Sequence, residues 1–435
     1  MSAPPPAFLS SAALARLPTS PLSQLLTPPR PVPASDLPPA ETAPIVAFCH
    51  LPWDGVWQRP QQLLSRLAAR HPVLFVECYC ADVEQATLRS HGAPGHPNVT
   101  VLQMLLPQAR WADGDFIDAE RRRLLQTFRR GDLGKFNDPV LWFNDPMAVI
   151  AFAGHCGERA IVYDCMDELA QFAGAPPQLR DRERELLLKA DVVFCGGRKM
   201  RDKRKPYNAH CYFYGTGVDS EHFGQARSES LAVDPAVAAL PGKVLGYFGV
   251  IDERIDYELL ARLADALSRC SIALVGPTAK VDAAALPQRK NLHWLGRRDY
   301  ADLPAITKGF SVCLMPFARN AATEFINPTK ALEYMATGRP IVATAIDEVR
   351  TNFGNVCRIA RSVGEFIAFC SDELERPSRL RVRRGLQLAA QNTWEAITAE
   401  MDALLVAACA RRAGVKTLSP AAAPAPLAAR RLSHV

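Results

Sequence analysis

Two α/β domains, each a mainly parallel sheet flanked by helices, are the fold class this chain predicts, and three observations carry the prediction. Its 435 residues exceed what one ordinary core supports. From about residue 44 to about 410, short apolar runs alternate with helix-period segments, as parallel strands joined by crossover helices require. The alternation pauses after about residue 220 and restarts at Lys243, across a polar connection that also contains Ala and Pro.

The first series opens with a strand over Ile45–Cys49. The loop HLPWDGVWQ then leads into a helix that takes Pro60 in its first turn and sets Leu63, Leu64, Leu67 and Ala68 on one face. Further strands are expected at Val73–Glu77, Val99–Met104, Val140–Phe143, Ala160–Asp164 and Val192–Cys195, with a charged helix over Leu179–Ala190. Together they form an N-terminal Rossmann-like domain over 44–220. The second series begins at KVLGYFGV, and its first helix, Tyr257–Leu267, carries Leu259, Leu260, Leu263 and Leu267 on one face, with Asp256 placed to cap it. Strands at Ile272–Val275, Leu292–Leu295, Val312–Pro316 and Ile341–Ala343 complete a C-terminal Rossmann-like domain over 243–391, and a last helix spans 392–413. Residues 1–43 and 414–435 are rich in Pro, Ala and Ser without periodicity, so they read as a disordered arm and tail. Two such domains imply a cleft facing the C-terminal ends of the strands, where open α/β sheets bind ligands.

Composition narrows the classes. The net charge of +6 is modest and much of it lies in flexible-looking segments, so nucleic acid is not an implied partner. An anionic substrate, or peripheral contact with an anionic membrane face, is compatible with it. The twelve cysteines are scattered, and Cys49, Cys195 and Cys313 sit inside apolar strand-like runs, where cysteine behaves as a small buried hydrophobe. Cys78 and Cys80 make a lone CxC without a second half. No zinc spacing follows, and reduced thiols in a cytoplasm are expected. No apolar run approaches the ~18 residues of a membrane span. The N-terminus lacks the basic start and apolar stretch of a signal peptide. A cytoplasmic protein is expected.

The richest segment is EFINPTKALEYMATGRPIVAT. Asn327 can cap a helix, Pro328 suits its first position, and Gly338 closes it before a strand. Lys330 then lies in the first turn, where a cation meets the positive end of the helix dipole at a cost of ~0.3–1 kcal/mol. A bound phosphate reverses that penalty. Glu333, three residues on, shares the face. Such a face offers a cation for phosphate and a carboxylate for ribose hydroxyls, although spacing alone also permits a surface Lys–Glu pair on an ordinary helix.

Here the chain resembles the GT-B glycosyltransferases, in particular the large family-four group and its relatives in bacterial polysaccharide synthesis. That group carries an E-x7-E motif whose second acid binds the donor ribose, on a helix followed by a G-x-P-V-V strand. ALEYMATGRPIVAT matches it, with Glu333 as the second acid. Phe325 stands where the first acid would, with Glu324 one residue off, which leaves inversion or retention open. The P-T-K-A-L-E-Y form resembles a subgroup whose lysine faces the donor phosphates. GYFGVIDERIDYELLARLADAL resembles the strand, loop and helix that open the C-terminal domain, where a basic residue binds the diphosphate. Arg254 is the candidate, with Gly249 in the same loop. GTGVDSEHF resembles the segment ending the N-terminal domain, and NTWEAITAEMDALL the final helix that crosses back to it. The resemblance implies a GT-B fold of two Rossmann-like domains, the first on the acceptor side and the second holding the nucleotide-sugar. It also implies a hexosyltransferase with a carbohydrate or lipid-linked acceptor.

In the first domain PWDGVWQRPQQLLSRLA resembles a signature of some of these transferases. Asp54 and Gly55 permit a tight turn and Arg59 stands at the helix start, so this loop is a candidate for acceptor or phosphate contact. A plain strand–helix turn with Trp57 packed inside is the alternative. YDCMDEL supplies Asp164, Asp167 and Glu168 at a strand end. Asp167 is the candidate base for an acceptor hydroxyl, with helix capping the competing role and His50 a second candidate. The Asp-x-Asp of ADGDF precedes the basic run AERRRLLQTFRR rather than ending an apolar strand, so it reads as a helix start. No Walker loop, GxSxG elbow or HExxH occurs. Arg254 and Lys330 are expected to neutralise the leaving diphosphate, so that neither a metal nor another cofactor is required. An epimerase of the same fold and a non-catalytic component of a polysaccharide assembly complex remain rival readings.

Overall fold

A computed structural model describes residues 42–414, apart from 56, 133, 173, 280, 283, 285, 321–322 and 324–328. The arm and tail expected at 1–43 and 414–435 lie almost wholly outside the described residues, as do Glu324, Phe325, Asn327 and Pro328. The described chain divides into two compact units, one running to Tyr214 and resuming at Thr398, the other Gly215–Ile397.

The first unit is built on eight strands: β1 (Ile45–Phe48), β2 (Val73–Ala81), β3 (Thr87–Ala93), β4 (His96–Pro107), β5 (Val140–Phe143), β6 (Ala160–Cys165), β7 (Val192–Cys195) and β8 (Cys211–Phe213). Their order is β3-β4-β2-β1-β5-β6-β7-β8. All neighbours pair parallel except β3, which runs antiparallel to β4. The central strands are apolar because helices cover both faces of a parallel sheet, and β1, β5 and β7 are wholly buried. Helix Arg59–Leu67 has Pro in its first turn and buries Leu63, Leu64 and Leu67. The Asp-x-Asp segment is a helix start: Asp113 Oδ1 accepts from the Phe116 amide at 3.1 Å.

The second unit carries β9 (Val244–Phe248), β10 (Ser271–Val275), β11 (Leu292–Gly296), β12 (Val312–Met315), β13 (Ile341–Thr344) and β14 (Arg358–Ala360), in the order β11-β10-β9-β12-β13-β14 and all parallel. Asp256 caps helix Tyr257–Ala266 by accepting from the Leu259 amide at 2.9 Å. Strand order reverses direction at β9, with β10 and β11 to one side and β12 to β14 to the other. Such a switch point opens a crevice at the strand ends.

Three elements depart from expectation. β3, β8 and β14 were not expected: TLRSHGA is a polar edge strand, and the other two are three residues long. Val218 and Phe223, in the segment expected to end the first domain, pack into the second unit's core. Val218 also exchanges backbone hydrogen bonds with Asn392 (3.0 Å) and Trp394 (3.3 Å) of the same unit. The helix Trp394–Arg412 begins in the second unit and continues into the first, where Asp402 accepts from His71 Nε2 at 2.9 Å and pairs with Arg70.

Candidate functional site

In the second unit the chemistry collects where β9 ends. Gly249 has φ +138°, a conformation that side chains rarely adopt. Its amide donates to the Val275 carbonyl at 2.8 Å. The space a Cβ would fill at Gly249 is taken by the Lys330 stem, with Nζ 2.5 Å from that position and the Tyr247 hydroxyl 3.0 Å from it. Lys330 thus lies across bare backbone at the switch point. It reaches there because it opens helix Lys330–Thr337, which Gly338 closes in the left-handed conformation at φ +72°. The ammonium stands 5.6 Å from the centre of the Tyr247 ring.

Lys330 and Glu333 are both half-buried. Burial pushes the Lys330 ammonium below its ordinary range, opposed by Glu333 and reinforced by the charge of Arg254. Burial likewise pushes the Glu333 carboxyl up to about 7, with Lys330 opposing. Each is therefore stabilised in its charged form less by its neighbour than it is penalised by lost water. Arg254 differs. Its Nε and Nη2 donate to both oxygens of Asp252, at 2.9, 3.0 and 2.6 Å, and these contacts raise its already high pKa. Asp252 was missed from sequence, although the D-x-R spacing in VIDERID was its signal. It aims the guanidinium while leaving Nη1 outside the fork.

In the first unit the expected residues separate. Asp54 is exposed and faces His91 Nε2 at 3.2 Å, and the turn beneath it closes through Gly55 N to Pro52 O at 3.2 Å. The space is tight there, since a Cβ would stand 3.0 Å from Pro52 Cγ and 3.1 Å from the Pro52 carbonyl oxygen. The residue packed inside this turn is Trp53, not Trp57: Trp53 is buried and donates its amide to the buried Glu77, whereas Trp57 is half-buried against it. Arg59 also departs from expectation. It does not join Asp54 and Gly55 in one ligand loop but is buried, with Nε and Nη2 on Asp164 at 2.9 and 2.8 Å and Nη1 on the Tyr214 carbonyl at 2.8 Å.

That contact also sorts the acidic trio. Asp164 is wholly buried in the pair with Arg59. Glu168 accepts from Arg204 at 3.1 Å, and Arg204 also binds Glu183 at 2.6 Å. Asp167, half-buried, lies one turn beyond β6, with its carbonyl 3.6 Å from the Cys165 thiol. His50 is half-buried past the end of β1. All twelve cysteines are free thiols. Cys49, Cys195 and Cys313 are buried as their runs predicted, and Cys195 and Cys211 approach to 3.6 Å. No helix among the described residues is long and apolar enough to cross a membrane.

Comparison with known proteins fits this arrangement. Residues 242–368, which hold Gly249, Arg254, Lys330 and Glu333, match the family model Glycosyl transferases group 1. TuaH of Bacillus subtilis (strain 168), described as a teichuronic acid biosynthesis glycosyltransferase, is 22% identical over 223 residues, 47% of this chain and 55% of the relative. The chain thus spans about half the length of the curated relative it matches. Among solved structures, the UDP-forming α,α-trehalose-phosphate synthase of Burkholderia vietnamiensis aligns with a TM-score of 0.62 at 12% identity, over 84% of this chain and 100% of that one. Sucrose-phosphate synthase of Thermosynechococcus elongatus gives 0.61 at 14%, over 85% and 100%. At that identity the likeness establishes the fold, two Rossmann-like units of the GT-B class. The chain therefore has the GT-B fold of these structures and, over residues 242–368, matches the group 1 glycosyl transferase family.

Proposed function

We propose that this protein transfers a hexosyl group from a nucleotide-sugar to a carbohydrate or lipid-linked acceptor, in bacterial polysaccharide or glycoconjugate synthesis. The observation that carries the reading is Lys330 laid over Gly249 beside Arg254 and Glu333, within the segment that matches the family model. The teichuronic acid relative supports the polysaccharide setting.

Lys330 and Arg254 neutralise the nucleoside diphosphate as the anomeric C–O bond breaks and its electron pair passes to the phosphate oxygen. These two cations supply the charge a metal supplies in other transferases, so no metal is required. Gly249 lets the diphosphate approach the backbone, and Glu333 binds the ribose hydroxyls. On the first unit Asp54 and Gly55 line the acceptor side. Asp167 takes the proton from the attacking hydroxyl if configuration is inverted. Nucleic acid has no part, and the basic surplus of the chain supports peripheral contact at the inner membrane face when the acceptor is lipid-linked.

A melting-temperature screen of UDP-, GDP- and dTDP-sugars tests the donor role. One of them at a hundredfold excess over its Kd should stabilise the protein by about 2.7 kcal/mol. Nucleoside diphosphate release with that donor should persist in a chelator. Absence of both a shift and release across the screen would sink the reading, and loss of release on chelation would sink its metal-free form.

A further inference from the structure

The charges of Arg59 and Asp164 are 7% and 0% exposed. A pair so far from water is weak evidence for stability by itself, because desolvation offsets the attraction. Its connections say more. Asp164 Oδ1 accepts from Arg59 Nε and pairs with the Nη2 charge at 2.8 Å, and Oδ2 accepts from Asn144 Nδ2 at 3.0 Å. The same Asn144 amide reaches the Asp164 main-chain carbonyl at 3.2 Å. Both the side chain and the backbone of Asp164 are therefore held. The network ties the start of the helix at Arg59 to the ends of β5 and β6 and to Tyr214, just past β8.

What leaves this anchor is the turn that carries Asp167. Cys165 ends β6, its carbonyl accepts from the Gly196 amide at 2.9 Å, and its thiol reaches the Asp167 carbonyl. Gly196 lies so close that a Cβ there would stand 2.9 Å from the Met166 carbonyl. Residues 164–167 thus leave the sheet from a clamped base along a packed path. The charges of the pair are buried, and only Cys165 and Met166 separate Asp164 from the proposed base.

We propose that Arg59 is a positioning residue: through Asp164 it fixes the direction in which β6 delivers Asp167 to the acceptor hydroxyl, and it does not hold phosphate. This rests on the transferase reading above, with Asp167 as base. Misplacing a catalytic group by about 1 Å can cost on the order of a hundredfold in rate without changing what binds. Donor affinity belongs to residues of the second unit, so it should be indifferent to Arg59.

Arg59→Met alone strands a buried carboxylate, so the working variant is Arg59→Met with Asp164→Asn in the full-length protein. Arg59→Lys, which cannot hold Asp164 and the Tyr214 carbonyl together, serves if the double variant fails to fold. The folded variant should bind the donor within about twofold of wild type and lose on the order of a hundredfold in kcat, with little change in acceptor KM. The acid limb of its pH–rate profile should also move. Amide hydrogen exchange gives an arm that needs no turnover, with faster exchange expected over 165–168 than elsewhere in the first unit. Wild-type kcat and pH profile, or unchanged exchange over 165–168, would overturn the proposal. A raised acceptor KM at unchanged kcat would also overturn it, by making Arg59 a ligand. Failure of the transferase reading would appear differently, as absent turnover in the wild-type protein.

Discussion

At the C-terminal edge of the first sheet the charges close on one another, whereas at the same edge of the second they stay open around a glycine. Arg59 is matched by Asp164, and Arg204 by Glu183 and Glu168, with both arginines and Asp164 buried. In the second unit Lys330 and Glu333 are half-buried, and each is shifted toward its neutral form by loss of water that the other only partly offsets. Matched charges hold a backbone in place. Charges desolvated without a matching partner are poised for something that arrives from outside, which is why perturbed groups gather at binding sites. On the proposed reading the two edges divide the labour: the first fixes geometry, and the second receives a polyanion.

Three substitutions probe the contrast, taken from the largest effect down. Arg59→Met should cost about 3–5 kcal/mol in chemical denaturation, because it leaves Asp164 charged and buried. Asp164→Asn on the same chain should restore most of that loss. A single-variant cost below about 1 kcal/mol would mean the first edge is not closed at all. Lys330→Met should do the reverse. Removing an ammonium that burial already disfavours, at the positive end of a helix, should leave the apo-protein unchanged or slightly more stable. Turnover should drop by roughly a hundredfold through the lost phosphate contact. Full activity in Lys330→Met would break the comparison on its second side. Gly249→Ala comes next. At φ +138° an alanine stores ~1–3 kcal/mol of strain, and its methyl displaces the Lys330 stem. Donor titration should then show weakened binding in a protein that still folds.

Much of this contrast was legible in the sequence, but unevenly. Lys330, Glu333, Gly249 and Arg254 lie in two segments whose strand–loop–helix pattern is local, so neighbours in sequence become neighbours in space. The strand of Gly249 and the helix of Lys330 could be placed before any contact was known. The Arg59–Asp164 pair could not, because 105 residues separate its members and only the sheet order brings them together. Arg59 beside Asp54 and Gly55 looked like one loop, and burial decided otherwise. β3 escaped because an edge strand facing solvent needs no apolar alternation, and its residues are mostly exposed. The acidic trio was found but not sorted, since three carboxylates within five residues carry no sign of which will meet an arginine.

The smallest expected effect concerns Glu333, and its sign decides whether the second edge is truly open. Burial raises this carboxyl from 4.5 to about 7 even with Lys330 opposing. Between those two values the folded protein keeps a proton that the unfolded chain has released. Folding therefore takes up a proton in that window, and stability falls as pH rises through it, levelling above about 7. The favourable contribution is complete only below the unfolded value. Glu333→Gln has no proton to lose, so its melting temperature should vary less with pH across the window. The variant should match wild type near pH 4 and exceed it near pH 8, by about 1 kcal/mol or less given the partial exposure of the site. At that higher pH it should nevertheless bind the donor more weakly, because the proposed role of the Glu333 carboxylate is to hold the ribose hydroxyls. Melting curves at the two pH values, with and without donor, separate the cases. If Glu333→Gln is instead less stable than wild type near pH 8, its carboxylate is satisfied within the protein as Asp164 is. The second edge would then be closed like the first, and the donor would have to be sought elsewhere.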